Sequence, residues 1–276
     1  MFPPYMNFRM QAQPSDLDYE IFVYVPESTP PAGGFPTLYV LDANSDFLLV
    51  AETVRRVSKR PQATGIGEAI VVGIGYPNTR SYDLDRRYFD FTCGPSTCPS
   101  VAGMPISSYG GQRLYIRFLA EQLLPYIASK FPTNPARRSL IGHSLAGYFV
   151  LDLLVGSHKL FSGHVSFSPS IWWDRDKLVS QLDETWAPAS NIKLYMTVGR
   201  YEQELAPWQR PEELTDEYRQ TRQYRRMVDN TRDMAELMTR RCSSPENLKF
   251  ELGVEDDHST IFNTFLCRAL RHVNPV

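Results

Sequence analysis

Arg137-Arg138-Ser139-Leu140-Ile141-Gly142-His143-Ser144-Leu145-Ala146-Gly147-Tyr148-Phe149-Val150-Leu151 is the stretch on which the reading of this chain turns. It opens with residues suited to a short buried strand, passes through a small-residue turn with Ser144 at its apex, and continues as an apolar helix. A serine at so sharp a strand-to-helix turn takes up strained backbone, so the residues two before and two after it must be small. Gly142 and Ala146 meet that demand, giving G-x-S-x-A with a further glycine at Gly147. The helix beginning at Leu145 turns amide N–H groups and a positive dipole end toward Ser144, which favours an oxyanion beside it. This is the grammar of a nucleophile elbow.

Working outward, runs of β-branched and aromatic residues alternate with helical patterns. Residues 1–18 are polar and proline-bearing and read as a surface leader; 19–25 suits an outer strand. Residues 37–41 and 69–74 are apolar enough to be buried on both faces, and 47–57 reads as a helix between them. Residues 75–111 are too long for a simple connection and are expected to form a long loop shaping the site. A helix over 114–130 ends at the Pro132 and Pro135 turn before the elbow strand. Further strands are expected over 163–168, 191–198 and 248–252, a long or broken exposed helix over 210–241, and a closing helix over 259–271. Strands alternating with helices throughout imply one α/β domain over residues 1–276, its mostly parallel central sheet covered by helices on both faces.

The totals narrow the function. A length of 276 residues with 42% hydrophobic content supports a sizeable core. A formal charge of -2 argues against a nucleic-acid binder, and no apolar run reaches membrane-spanning length. The N-terminal residues lack the apolar core of a secretory signal, so a cytoplasmic setting is expected, with Cys93 and Cys98 as thiols rather than a bridge. None of the four cysteines has metal-like spacing; neither a metal nor a cofactor is expected.

A serine hydroxyl needs a base to attack a carbonyl, and the base needs a third group to hold it. Of the five histidines, His143 lies inside the elbow, His158 in a loop beyond the elbow helix, His164 within a strand and His272 at the end of the last helix. His258 alone follows the final strand, where a hydrolase base belongs. Glu202, in the turn after the penultimate strand, is the expected acid, with Glu204, Asp256 and Asp257 as alternatives. Ser144, Glu202 and His258 then run in the Ser, acid, His order of α/β-hydrolases. The backbone N–H groups of Leu145 and Asn44 are the expected oxyanion donors. Arg87, Tyr76 and Trp173 are candidate substrate contacts, Arg87 because a guanidinium suits carboxylate or catecholate oxygens.

The 37–47 run, Gly73-Ile74-Gly75-Tyr76-Pro77, Arg87-x-x-Asp90-Phe91-Thr92, the elbow, Ser168-Pro169-Ser170-Ile171-Trp172-Trp173-Asp174 and Gly199-x-x-Glu202 together resemble the esterase family of α/β-hydrolases that holds enterochelin esterase and its smaller salmochelin-type relatives. The resemblance covers residues 19–272. It implies a serine esterase acting on a small-molecule ester, such as that of a siderophore, through an acyl-enzyme; acyl transfer to an alcohol or amine would use the same triad. Two departures stand out: Ala146 replaces the first of the family's paired elbow glycines, and Asp42-Ala43 replaces Asp-Gly in the oxyanion loop. Both are expected to add a methyl near the reacting carbonyl.

Overall fold

The computed structural model describes residues 5–99, 108–156, 158–185, 192–242 and 244–276. Among the described residues, eight strands, β1 (Tyr5–Ala12), β2 (Leu17–Tyr24), β3 (Phe35–Val40), β4 (Ile70–Gly75), β5 (Thr133–His143), β6 (Gly163–Phe167), β7 (Lys193–Gly199) and β8 (Leu248–Gly253), form one sheet in the order β1-β2-β4-β3-β5-β6-β7-β8. The β1–β2 and β2–β4 pairs are antiparallel and every other pair is parallel. The mostly parallel α/β sheet expected from the alternating elements is the one observed.

Among the described residues, ten α-helices connect and cover it: α1 (Ala43–Val57), α2 (Pro61–Thr64), α3 (Leu84–Phe91), α4 (Gln112–Phe118), α5 (Leu124–Lys130), α6 (Leu145–Val155), α7 (Arg175–Thr185), α8 (Asp216–Arg225), α9 (Met227–Arg241) and α10 (Ile261–Val273). Because strand side chains alternate between faces, the sheet builds two cores. Tyr39, Val72 and Leu140 pack with α6 and the α4–α5 pair on one face, while Leu38, Val71 and Ile141 pack with α1 and α10 on the other. Burial on both faces explains why the central strands read as unbroken apolar runs. Among the described residues no helix is long and apolar enough to cross a membrane.

Three expectations need correcting. The leader is largely a strand: residues 5–12 pair with β2 throughout, turning Phe8, Met10 and Ala12 inward, so β1 and not β2 is the outer strand. Residues 1–4, residues 100–107 of the long segment, and Asn191 lie outside the described residues. The long segment is not a bare loop, since α3 forms within it and Asp83 caps that helix by accepting the Arg86 N–H. Helix α1 starts at Ala43, four residues earlier than expected, because Asp42 takes the left-handed conformation (φ 52°) and turns the chain into the helix at once.

Candidate active site

The parallel strands β3, β5, β6, β7 and β8 end along one rim, and the loops leaving them carry Asn44, Ser144, Ser168 to Ser170, Glu202 and His258. Ser144 sits between β5 and α6 at φ 62°, ψ −118°, a conformation that costs an L-residue on the order of 1–3 kcal/mol and persists only where its surroundings enforce it. The enforcement is visible on both sides. A Cβ at Gly142 would lie 2.5 Å from the Ala146 carbonyl oxygen, and one at Gly147 would lie 2.9 Å from the Phe167 carbonyl oxygen. The sharp demand for glycine thus falls at 142 and 147, and position 146 accepts a methyl. That methyl, like that of Ala43, belongs to the buried core.

Leu145 is the first residue of α6 and Asn44 lies in the first turn of α1, so each amide belongs to a helix N-terminus where N–H groups lack helical acceptors. The side chain of Asn44 is committed elsewhere: its Oδ1 accepts the Tyr76 N–H at 2.8 Å, and its Nδ2 donates to the carbonyls of Tyr76 and Asn78 at 3.0 and 2.8 Å. These bonds lock the turn after β4 to the turn after β3.

Glu202 is buried and fully engaged. Its Oε1 accepts the Gly199 N–H at 2.8 Å and the Ser168 hydroxyl, which leaves Oε2 for Nδ1 of His258 at 2.6 Å. Ser168 reaches it from a buried left-handed position (φ 43°). The alternative acids are otherwise occupied. Glu204 is exposed beside Arg200; Asp256 accepts the hydroxyls of Thr260 and Thr264, and Asp257 accepts the amides of Ser259 and Thr260. The His258 imidazole is half-exposed and borders a cavity of about 320 Å³ together with Ser144, Ser170, Trp172 and Glu202.

His143 contributes from beneath. Burial, and then the neighbouring His258 charge, push its pKa down to about 3, so it is neutral and donates from Nε2 to the His258 carbonyl at 2.8 Å. The two imidazoles lie 4.6 Å apart. His143, next to Ser144, therefore fixes the backbone of the loop that carries His258 across the rim.

The three expected substrate contacts are placed elsewhere. Arg87 is buried with its Nε 2.9 and 3.0 Å from the two carboxylate oxygens of Asp42, and its guanidinium approaches the His143 carbonyl at 3.5 Å. Tyr76 is buried among Tyr19 and the Arg86 guanidinium. Trp173 is buried, stacks on Tyr88 and donates to the Gly94 carbonyl. None of the three borders the cavity. Its outer wall comes instead from Trp172 and from Tyr218, Thr221, Arg222 and Arg225 of α8, which lies in the segment expected to be an exposed helix. Positions 218, 221, 222 and 225 are spaced i, i+3, i+4, i+7, which is one face of a helix and a signal the sequence did carry. The Arg225 guanidinium lies 4.4 Å over the Trp172 ring, and that of Arg222 lies 4.7 Å over Tyr218.

Comparisons with known proteins place the chain among esterases. The family model described as "Putative esterase" matches residues 14–235. The chain is 29% identical over 268 residues to the ferri-bacillibactin esterase BesA of Bacillus subtilis, covering 95% of this chain and 86% of that one. It is 31% identical over 246 residues to the siderophore enterobactin esterase of Emericella nidulans, covering 83% and 78% respectively. Among solved structures, the siderophore hydrolase EstB from Aspergillus nidulans superposes with a TM-score of 0.83 at 25% identity, over 100% of this chain and 96% of that one. Family match, relatives and sheet order converge: the chain belongs to this esterase family of α/β-hydrolases and is a carboxylic ester hydrolase.

Proposed function

We propose that the protein hydrolyses the ester bonds of a siderophore or a similar natural-product ester through a Ser144–His258–Glu202 triad and an acyl-enzyme. The observation that carries this reading is the 2.6 Å His258–Glu202 pair bordering the same cavity as a serine held in elbow geometry. Glu202 holds the imidazole with Nδ1 toward itself, leaving Nε2 to take the Ser144 proton as Oγ attacks the ester carbonyl. The Leu145 and Asn44 amides receive the oxyanion, a contribution on the order of 3 kcal/mol per donor. His258 then protonates the leaving alcohol, and water releases the acyl group.

The substrate class draws support from the relatives, which are named for siderophore esters, and from the cavity wall. Volume near the lower limit for ligand sites suits one arm of a larger ester, with the remainder outside. Arginines paired with aromatic rings at Trp172 and Tyr218 suit a planar, anionic acyl group. This takes over the role expected of Arg87.

Replacing Ser144 by Ala tests the reading. Hydrolysis of a short-chain p-nitrophenyl ester, and of iron-free and ferric siderophore esters, should fall to background; retained turnover would remove Ser144 from the mechanism. Product analysis with a competing alcohol separates hydrolysis from transfer, since only free acid is expected.

A further inference from the structure

We propose that Ser170 is a further catalytic residue, its hydroxyl serving the position occupied by the leaving alcohol during acylation and by the hydrolytic water during deacylation. The assignment rests on Ser144 being the nucleophile. Ser170 Oγ lies 3.4 Å from Ser144 Oγ, in a residue only 3% exposed that nonetheless borders the cavity. It also occupies the N-cap of the short turn Ile171–Trp173, where a serine hydroxyl ordinarily accepts an amide of the turn. Here the hydroxyl makes no capping bond and is directed at the nucleophile instead. The backbone is pinned while the side chain is not: the Ser170 N–H donates to the Ser144 carbonyl at 3.0 Å, and its carbonyl accepts the Trp173 N–H at 2.9 Å.

Sheet order assigns the side. Asn44 follows β3 on one flank of β5, and Ser170 follows β6 on the other, the flank from which β7 and β8 bring Glu202 and His258. The oxyanion faces the Asn44 flank, so a group on the opposite flank meets the departing oxygen. As the Ser144 Oγ–carbon bond forms, its proton passes to His258. The bond from that carbon to the alkoxyl oxygen then breaks, the electron pair stays on oxygen, and His258 returns the proton to it. Water next takes the vacated position, gives a proton to His258 as it attacks, and Ser144 recovers a proton as its ester bond breaks. Ser170 keeps its own proton throughout. It donates a hydrogen bond to the alkoxyl oxygen as charge gathers there, and it holds the attacking water in line.

Ser170→Ala deletes the hydroxyl and leaves both backbone bonds available. With a p-nitrophenyl ester, whose leaving group needs no assistance, the acylation burst and kcat/KM should stay within about twofold of wild type, while kcat and KM fall together about 10- to 100-fold as deacylation slows. With an alkyl ester kcat/KM itself should fall by about the same factor. Ser170→Thr, which restores a hydroxyl, should recover turnover. Unchanged kcat on both esters would overturn the proposal, as would an equal loss of kcat/KM on both, which would place the hydroxyl on the nucleophile alone. Fluorophosphonate labelling of Ser144 in the variant reads out an intact fold and nucleophile; should Ser170→Ala fail to label, Ser170→Cys carries the same kinetic test. An active Ser144→Ala enzyme would sink the underlying triad. A labelled wild type with a fully active Ser170→Ala enzyme would sink only the role of Ser170.

Discussion

Replacing Arg87 by methionine separates a structural partner from a substrate contact. The guanidinium lies within 3.0 Å of the Asp42 carboxylate, and the two side chains are 10% and 1% exposed. Deleting one member of such a pair strands the other charge away from water, at a cost of about 3–5 kcal/mol. Asp42 has an escape: burial already raises its pKa, with Arg87 as the opposing influence, so without the arginine it takes up a proton and the loss moves toward about 3 kcal/mol. For a chain of this size each kcal/mol moves Tm by about 2–4 °C, so a drop of roughly 6–12 °C is expected. Asp42 is also the left-handed residue that launches α1, two positions before Asn44, so slack there should lower kcat without raising KM. The assay is a thermal melt beside steady-state kinetics, with Asp42→Asn/Arg87→Met expected to recover most of the lost stability. A Tm within about 2 °C of wild type together with a tenfold higher KM would refute the reasoning and return Arg87 to the substrate.

Glu202→Gln should lower kcat by about 10²–10⁴ by removing the acceptor that orients His258, whereas Asp256→Asn should not; the reverse ranking in a p-nitrophenyl ester assay would move the acid. Arg225→Gln should raise KM about 10- to 100-fold for an anionic aromatic ester and leave that for neutral p-nitrophenyl acetate unchanged, so an equal effect on both would deny charge recognition. His143 should make the protein acid-sensitive. Its pKa is pushed down to about 3, so between roughly pH 6.5 and 3 the unfolded chain binds the proton that the folded chain refuses, and stability falls as pH falls through that window. Urea unfolding of His143→Gln should therefore gain about 2–3 kcal/mol relative to wild type between pH 7 and pH 4.5; a constant difference would show that the imidazole titrates normally in the fold.

What could be read in the chain was local. The elbow is specified by near neighbours, small residues flanking one serine between two apolar runs, and the same holds for the buried strands. Arg87 misled because its pairing with Asp42 crosses 45 residues and leaves no trace in spacing; an arginine in a polar segment looks identical whether it faces solvent, substrate or a carboxylate. The cavity wall on α8 carries an i, i+3, i+4, i+7 pattern of Tyr218, Thr221, Arg222 and Arg225, but the face is polar, and such a pattern looks the same on a merely solvated helix. Likewise Met6, Phe8, Met10 and Ala12 alternate with polar residues, yet the nearby prolines made the segment look like a tail and not like β1. Ser168 and Ser170 gave no such clue, since their importance depends on where β6 ends relative to β5.

Helix α8 buries none of its own residues, although it forms much of the wall of the cavity that Ser144 borders. Its side chains are held by surface polar contacts, Arg222 to the Glu204 carbonyl and Gln209 to the Tyr218 hydroxyl, the opposite of the elbow, where a single added carbon collides with backbone. On the proposed reading, selectivity can be re-tuned by exchanging residues along two turns of this outer helix, while the strand-to-helix turn behind it stays untouched. A library confined to positions 218, 221, 222 and 225 would test whether this face selects the ester.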